Sequence, residues 1–271
     1  MKLFRQAVLK VLIFLLVLSG LVFVTVYSVG KRYEQQIDIE RRSAALSIVR
    51  LTALNAQNLF KDTQPLLLSL IQLPAVREKD SASCGELFAE IIDQSRLYAR
   101  LAASDANGDI FCESVPLDEP INIKDRTYFQ RAKETRDFVV SDFQIGRSSK
   151  IPVIIFAYPM LDERGEFIGL VLASIDLRWF EYYAAQVEMP DGAVMPIFDA
   201  NGLILARYPD NDNLISKKVP ENSLVQLAVE QHEGTVVTKG FDNKERIYAF
   251  TVLPDIRSDG GAVHLSIGFL R

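Results

Sequence analysis

Asp105-Ala106-Asn107-Gly108 recurs unchanged as Asp199-Ala200-Asn201-Gly202, and each copy follows an apolar run and precedes an isoleucine two residues on. Later landmarks keep roughly the same step. Phe138-Val139-Val140-Ser141 answers Thr235-Val236-Val237-Thr238, and Ile155-Phe156-Ala157 answers Tyr248-Ala249-Phe250. A repeat of half-chain size says that one fold unit is used twice. A chance tetrapeptide is the alternative, and the matching strand patterns downstream argue against it.

Outward from the first copy, Tyr98 to Ser104 alternates as a strand. Asn107-Gly108 makes a tight hairpin turn, and Ile110 to Ser114 returns. Pro116 to Asp125 reads as a loop and Arg126 to Thr135 as a short helix. Asp137 to Phe143, Ile151 to Tyr158 and Phe167 to Ile175 are strands, the last two joined by a turn at Asp162-Glu163-Arg164-Gly165. The second copy repeats this order with Ala193–Phe198, Leu203–Arg207, a helix over Asn222–Gln231, then Thr235–Lys239, Arg246–Leu253 and Ala262–Leu270, the last two joined around Asp259-Gly260-Gly261. The expected class is α+β: two tandem five-stranded antiparallel sheets, each with helices on one side. Trp179, Phe180, Tyr183 and Val187 give a connecting helix one apolar face.

Val11 to Val29 carries no charged residue. At ~1.5 Å per residue it spans about 28 Å, close to a hydrocarbon core. Lys2, Arg5 and Lys10 before it favour a cytoplasmic N-terminus, although Lys31, Arg32, Arg41 and Arg42 after it weaken that signal. A cleaved signal peptide is the competing reading. The run is long for one, and no small-x-small cleavage site follows. The only cysteines are Cys84 and Cys112. Beyond an anchor this pair suggests one disulfide, with two buried free thiols as the alternative.

Leu46, Ala53, Phe60 and Leu67 stand seven apart, beside Val49, Ala56, Thr63 and Leu70. Such a seam pairs with a second copy near the membrane or packs on its own sheet farther along. Pro65 within it predicts a kink, or a new helix capped by Thr63. A net charge of −5 with no basic stripe excludes a nucleic-acid surface.

Enzyme motifs are absent: no phosphate-binding loop, nucleophile elbow or H-E-x-x-H. The two histidines, His232 and His264, have no Cys or His at metal-ligand spacing and read as surface or satisfied structural residues. No metal or cofactor is expected. A hydrolase built on Asp142 or Asp176 would lack a nucleophile–base pair. Asp125-Arg126-Thr127-Tyr128-Phe129 differs, opening a helix with a guanidinium, a phenol and a phenyl ring. Arg offers a planar fork for a carboxylate, and a helix N-terminus favours anions. The bland alternative pairs Arg126 with Asp125 or Asp142 and buries both rings in the core.

With Asp125-Arg126-x-Tyr128-Phe129-x-x-Ala132, Val140-Ser141-Asp142, Ile145-Gly146-Arg147 and Gly169-Leu170-Val171-x-Ala173-Ser174-Ile175-Asp176-Leu177, the chain resembles the periplasmic double Cache sensor domains of bacterial signalling receptors. The resemblance covers about residues 11–271. It implies PAS-like modules, with the ligand pocket in the membrane-distal one. Arg126, Tyr128 and Phe129 are its first contacts, with Asp142, Tyr158, Ser174 and Asp176 as further candidates. Amino-acid-sensing relatives place Asp near Ser174, and dicarboxylate-sensing relatives place Lys there. Serine suits a hydroxyl or carbonyl group.

The expected organisation is a cytoplasmic N-terminus (1–10), a transmembrane helix (11–29), a stalk and dimerisation helix (30–62), a ligand-binding module (63–178), a connecting helix (179–190) and a membrane-proximal module (191–271). The expected function is the extracytoplasmic sensing of a small molecule, a carboxylate or other metabolite, by a homodimeric inner-membrane receptor. Histidine kinase, diguanylate cyclase and chemoreceptor outputs are not separated, and any output domain is expected beyond residue 271. A membrane-anchored interaction protein without a ligand is the rival reading.

Overall fold

Two sets of strands, the central ones apolar runs buried on both faces, each close into an antiparallel sheet. The computed structural model describes residues 2–95, 97–185, 187, 189–219, 222–258 and 261–270, with side chains of 1–19, 21, 22, 59, 60, 179, 183 and 254–258 left aside. The chain opens with helix α1 (Lys2–Lys61), followed by α2 (Thr63–Ile71), α3 (Pro74–Arg77) and α4 (Ser81–Asp93). The first sheet holds β1 (Tyr98–Asp105) and β2 (Ile110–Glu113), then, after α5 (Thr127–Thr135), β3 (Val139–Val140), β4 (Gln144–Ile145), β5 (Pro152–Leu161) and β6 (Phe167–Asp176). Helix α6 (Trp179–Ala184) precedes β7 (Met195–Asp199) and β8 (Ile204–Tyr208). Helix α7 (Ser223–Gln231) precedes β9 (Gly234–Lys239), β10 (Glu245–Ser258) and β11 (Gly261–Leu270).

Strand order is β2-β1-β6-β5-β3 in the first sheet and β8-β7-β11-β10-β9 in the second, the same path twice. The first sheet has a sixth strand, since Gln144 and Ile145 pair with Val153 and Pro152 where the sequence suggested a loop. Helices also lie on both faces rather than one. Phe129 and Ala132 of α5 pack on the front of the first sheet with Ile155 and Leu172. Leu67 and Phe88, from α2 and α4, join Phe156 and Val171 on its back.

The repeated tetrapeptide is a turn held by its own aspartate. Asp105 Oδ1 accepts from the amides of Asn107 (2.8 Å) and Asp109 (3.0 Å), and Asp199 Oδ1 from Asn201 and Leu203 (both 2.9 Å). Only the glycine takes positive φ (+87° at Gly108, +75° at Gly202), so this is not the paired Asn-Gly turn the sequence suggested. At Gly108 a Cβ would lie 2.6 Å from the Lys124 amide, so the close approach of the turn before α5 itself requires glycine.

Residues Met1–Ala44 and Ala45–Arg271 form two units. In the first, the backbone is helical across Val11–Val29. Most side chains of the expected membrane span lie outside the described residues. Among those described, no helix is long and apolar enough to cross a membrane.

In the second unit, the end of α1 buries Ala45, Val49, Ala53 and Ala56 in the same core as the backs of both sheets. The seam positions Val49, Ala53 and Ala56 are thus spent within the chain and are unavailable to a partner copy. Helix α2 does restart near Pro65. Asp62, not Thr63, occupies its cap position, and Thr63 Oγ1 instead meets Tyr98 Oη at 3.1 Å. Cys84 of α4 and Cys112 of β2 are joined by a disulfide, Cα atoms 5.9 Å apart, tying the edge strand to the back of the sheet.

Candidate functional site

Arg126 sits at the cap position of α5 with extended backbone (φ −76°, ψ 137°), and its side chain does not cap the helix. Arginine has no preference for that position. Its guanidinium makes no hydrogen bond or ion pair to a described side chain, because the neighbouring carboxylate is taken. Arg147 holds Asp125 through two bonds of 2.9 Å. That hydrogen-bonded pair outweighs desolvation and brings the Asp125 pKa down to about 2. Arg147 also donates to the carbonyl of Asn122.

Arg126, Tyr128 and Ser174 meet at one cleft on the front of the first sheet. Tyr128, the second residue of α5, is 4% exposed. Burial, opposed by nearby arginines, pushes its phenol up to about 12, so it stays a neutral donor at working pH. Ser174 lies on β6 opposite Arg100 on one side and Ile155 on the other, and both of those residues line the cleft.

The other expected contacts lie elsewhere. Phe129 is fully buried edge-on against Phe167, ring centroids 5.5 Å apart, in the core under the cleft. Tyr158 is on the back of the sheet against Phe138. Asp176 is gripped by Arg178, with bonds from 2.8 Å. Asp142 is half-buried and outside the cleft lining.

Sequence reasoning missed Glu113, Arg100, Gln144 and Ser148, which also line the cleft. Glu113 is placed by a β-bulge. Ala102 and Ala103 pair with Glu113 and Cys112, but Ser104 pairs with Ile110, leaving Phe111 as the extra residue. Ile110 and Glu113, three apart, would face opposite sides of a regular strand, and the bulge lets both line the cleft. The Glu113 side chain is 4% exposed, with Arg100 Nε 3.4 Å away, but its Oε1 has no hydrogen-bond partner among described residues. Burial raises its pKa against the opposing effects of Ser148 and Arg100. Arg147, present in a quoted motif, lines the cleft as well.

The same front face of the second sheet is filled. Register matches Ile155 and Ser174 with Tyr248 and Gly268. A Cβ on Gly268 would strike the Tyr248 ring at 2.3 Å, so the phenol occupies the space that the first sheet leaves open. The bulge recurs on β8, and where Glu113 stood is Arg207. Asp242 takes two 2.7 Å bonds from Arg246 and one of 3.3 Å from Arg207. Burial acts to raise the Asp242 pKa, but these bonds and charges hold it below the usual range. Nearby His264 was expected on the surface or hydrogen-bonded. It is fully buried, stacked on Phe198, with neither ring nitrogen partnered among described residues. Burial lowers its pKa to about 4.

The profile of a family described as a Cache domain matches residues 30–265. Sporulation kinase D of Bacillus subtilis (strain 168) is 23% identical over 172 residues, 64% of this chain and 33% of the kinase, so the match spans a third of that protein. The extracellular domain of rpHK1S-Z16, assigned as a histidine kinase, superposes with a TM-score of 0.73 at 18% identity, covering 84% of this chain and 94% of that one. The ligand-binding domain of the Pseudomonas fluorescens chemoreceptor CtaA, solved with L-isoleucine, gives 0.63 at 16% identity, covering 84% and 92%. At these identities the solved structures show the shared fold.

Proposed function

The chain belongs to the Cache domain family, and from that premise we propose that it is the extracytoplasmic small-molecule sensing region of a bacterial inner-membrane receptor, of histidine kinase, diguanylate cyclase or chemoreceptor type. Cache domains are the extracellular sensor domains of such receptors. The carrying observation is the cleft. Arg126 is the one guanidinium there without a carboxylate partner among described residues, at a helix N-terminus and beside a buried neutral phenol. We assign Arg126, Tyr128 and Ser174 to ligand contact, with the ligand a small carboxylate. The module spanning 63–178 binds, the one spanning 191–271 transmits, and α6 lies in the connector 179–190. Ligand binding then shifts the population between two arrangements of these modules. No catalysis is assigned to this chain.

The test is calorimetric titration of the full chain in detergent with small carboxylates. Arg126→Ala should weaken binding by about tenfold to a hundredfold, as the loss of a charge-assisted bond of ~1.5–3 kcal/mol implies, with melting unchanged. Unchanged affinity, or an unfolded variant, returns Arg126 to a structural role.

The anchor at 11–29 and a homodimer belong to the same proposal. Because Val49, Ala53 and Ala56 are committed to the chain's own core, pairing falls to residues 30–44. Single cysteines there should crosslink with a seven-residue rhythm in membranes, and a flat profile would remove the dimer.

A further inference from the structure

Glu113 is the buried group in the cleft whose bonding is unfinished. Its side chain is 4% exposed and its Oε1 lacks a hydrogen-bond partner among described residues, although Arg100 Nε stands 3.4 Å away. Folded proteins pair buried carboxylate oxygens, and an exception calls for a reason. The fold also goes to some length to place it. A bulge turns it to the cleft side, and the preceding residue, Cys112, is fixed to α4 by the disulfide. The second sheet has the same bulge but completes its charge from within, with Asp242 against Arg207.

The cleft's charges fall into pairs: Arg147 with Asp125, and Arg100 with Glu113, leaving Arg126. One ligand carboxylate therefore balances the site. A second would meet Glu113, like charge against like in a desolvated cleft. Resting on the carboxylate reading above, we infer that Glu113 sets specificity. It accepts a hydrogen bond from a hydroxyl or ammonium group on a small monocarboxylate held at Arg126, and it rejects dicarboxylates. Ligands of this class are 2-hydroxy and 2-amino acids. Hydroxyl and ammonium supply the same chemistry to Glu113, and the two are separated by probe.

The experiment titrates the full chain in detergent with propanoate, 2-hydroxypropanoate, 2-aminopropanoate and butanedioate. In the wild type at least one donor-bearing acid should bind tenfold or more tighter than propanoate, with butanedioate weakest. Glu113→Met removes the acceptor and should bring the preference within threefold. Glu113→Gln keeps the shape and offers an amide donor, so butanedioate should gain about tenfold. This second variant carries the test should the first fail to fold. Equal binding of propanoate and the donor-bearing acids, or a preference that survives Glu113→Met, overturns the inference. If binding depends on Arg126 but ignores Glu113, the inference alone fails. If none of the four acids binds, both it and the carboxylate reading fall.

Discussion

The front faces of the two sheets share strand order, turn, bulge and helix, yet one is open and the other is full. In the first, Ile155 and Ser174 leave space, Glu113 lacks a partner on one oxygen, and Arg126 stands unused at a helix cap. In the second, Tyr248 covers Gly268, Asp242 occupies Arg207 and Arg246, and Asn222 caps α7 by accepting from the Leu224 amide at 2.9 Å. The lesson is that a duplicated scaffold yields one open face and one filled face by changing which groups complete the charge. Where the chain supplies its own carboxylate, the face is a core. Where it withholds one, the face stays open, as the proposed site does.

The largest expected effect comes from breaking the filled face. Asp242→Asn takes from Arg246, 2% exposed, its carboxylate partner, while Arg207 keeps Asp210 and Asp212, and should cost about 3–5 kcal/mol in denaturant unfolding. Glu113→Gln, at the open face, should cost well under that, because its carboxylate is already incompletely bonded. Similar losses for the two would erase the contrast.

The next effect is a pH dependence confined to the second sheet. His264 titrates at about 4 when folded and near 6.5 when unfolded. Above pH 6.5 both states are neutral there and the full stability is present. As pH falls from 6.5 to 4, only the unfolded state gains the proton, and stability drops by up to about 3 kcal/mol. Register places Leu170 at the matching position of the first sheet. His264→Leu should therefore remove that slope while leaving stability at pH 8 nearly unchanged. A wild-type slope retained by the variant would place the titration elsewhere.

The duplication was readable because Asp-Ala-Asn-Gly encodes a turn whose geometry needs that aspartate and that glycine, so the signal is local. The strands around it were readable as apolar runs bounded by turn residues. Strand β4 was not, being two residues with Ile145 half exposed. Within the proposed site, Arg126, Tyr128 and Ser174 could be named only through the resemblance to double Cache domains, since composition alone favoured a structural role for Arg126 and Tyr128. Tyr158 was assigned to the wrong face, although alternation from Ile155 and Ala157 would have put it on the back. Glu113 was hidden because a bulge shifts the period by one, and nothing in Ile110-Phe111-Cys112-Glu113 announces it. Its counterpart in the repeat carried the only hint: a charged residue, Arg207, recurs at the same distance after each Asn-Gly.

The central claim is that Ile155 and Ser174 leave open what Tyr248 and Gly268 fill. Grafting the second pair onto the first sheet, as Ile155→Tyr with Ser174→Gly, tests it most directly by calorimetric titration with whichever small carboxylate binds the wild type. The account predicts that the grafted protein melts as a folded domain and shows no measurable binding, the phenol now occupying the cleft as it does in the second sheet. A folded graft that binds with wild-type affinity would contradict it and move the site away from this face.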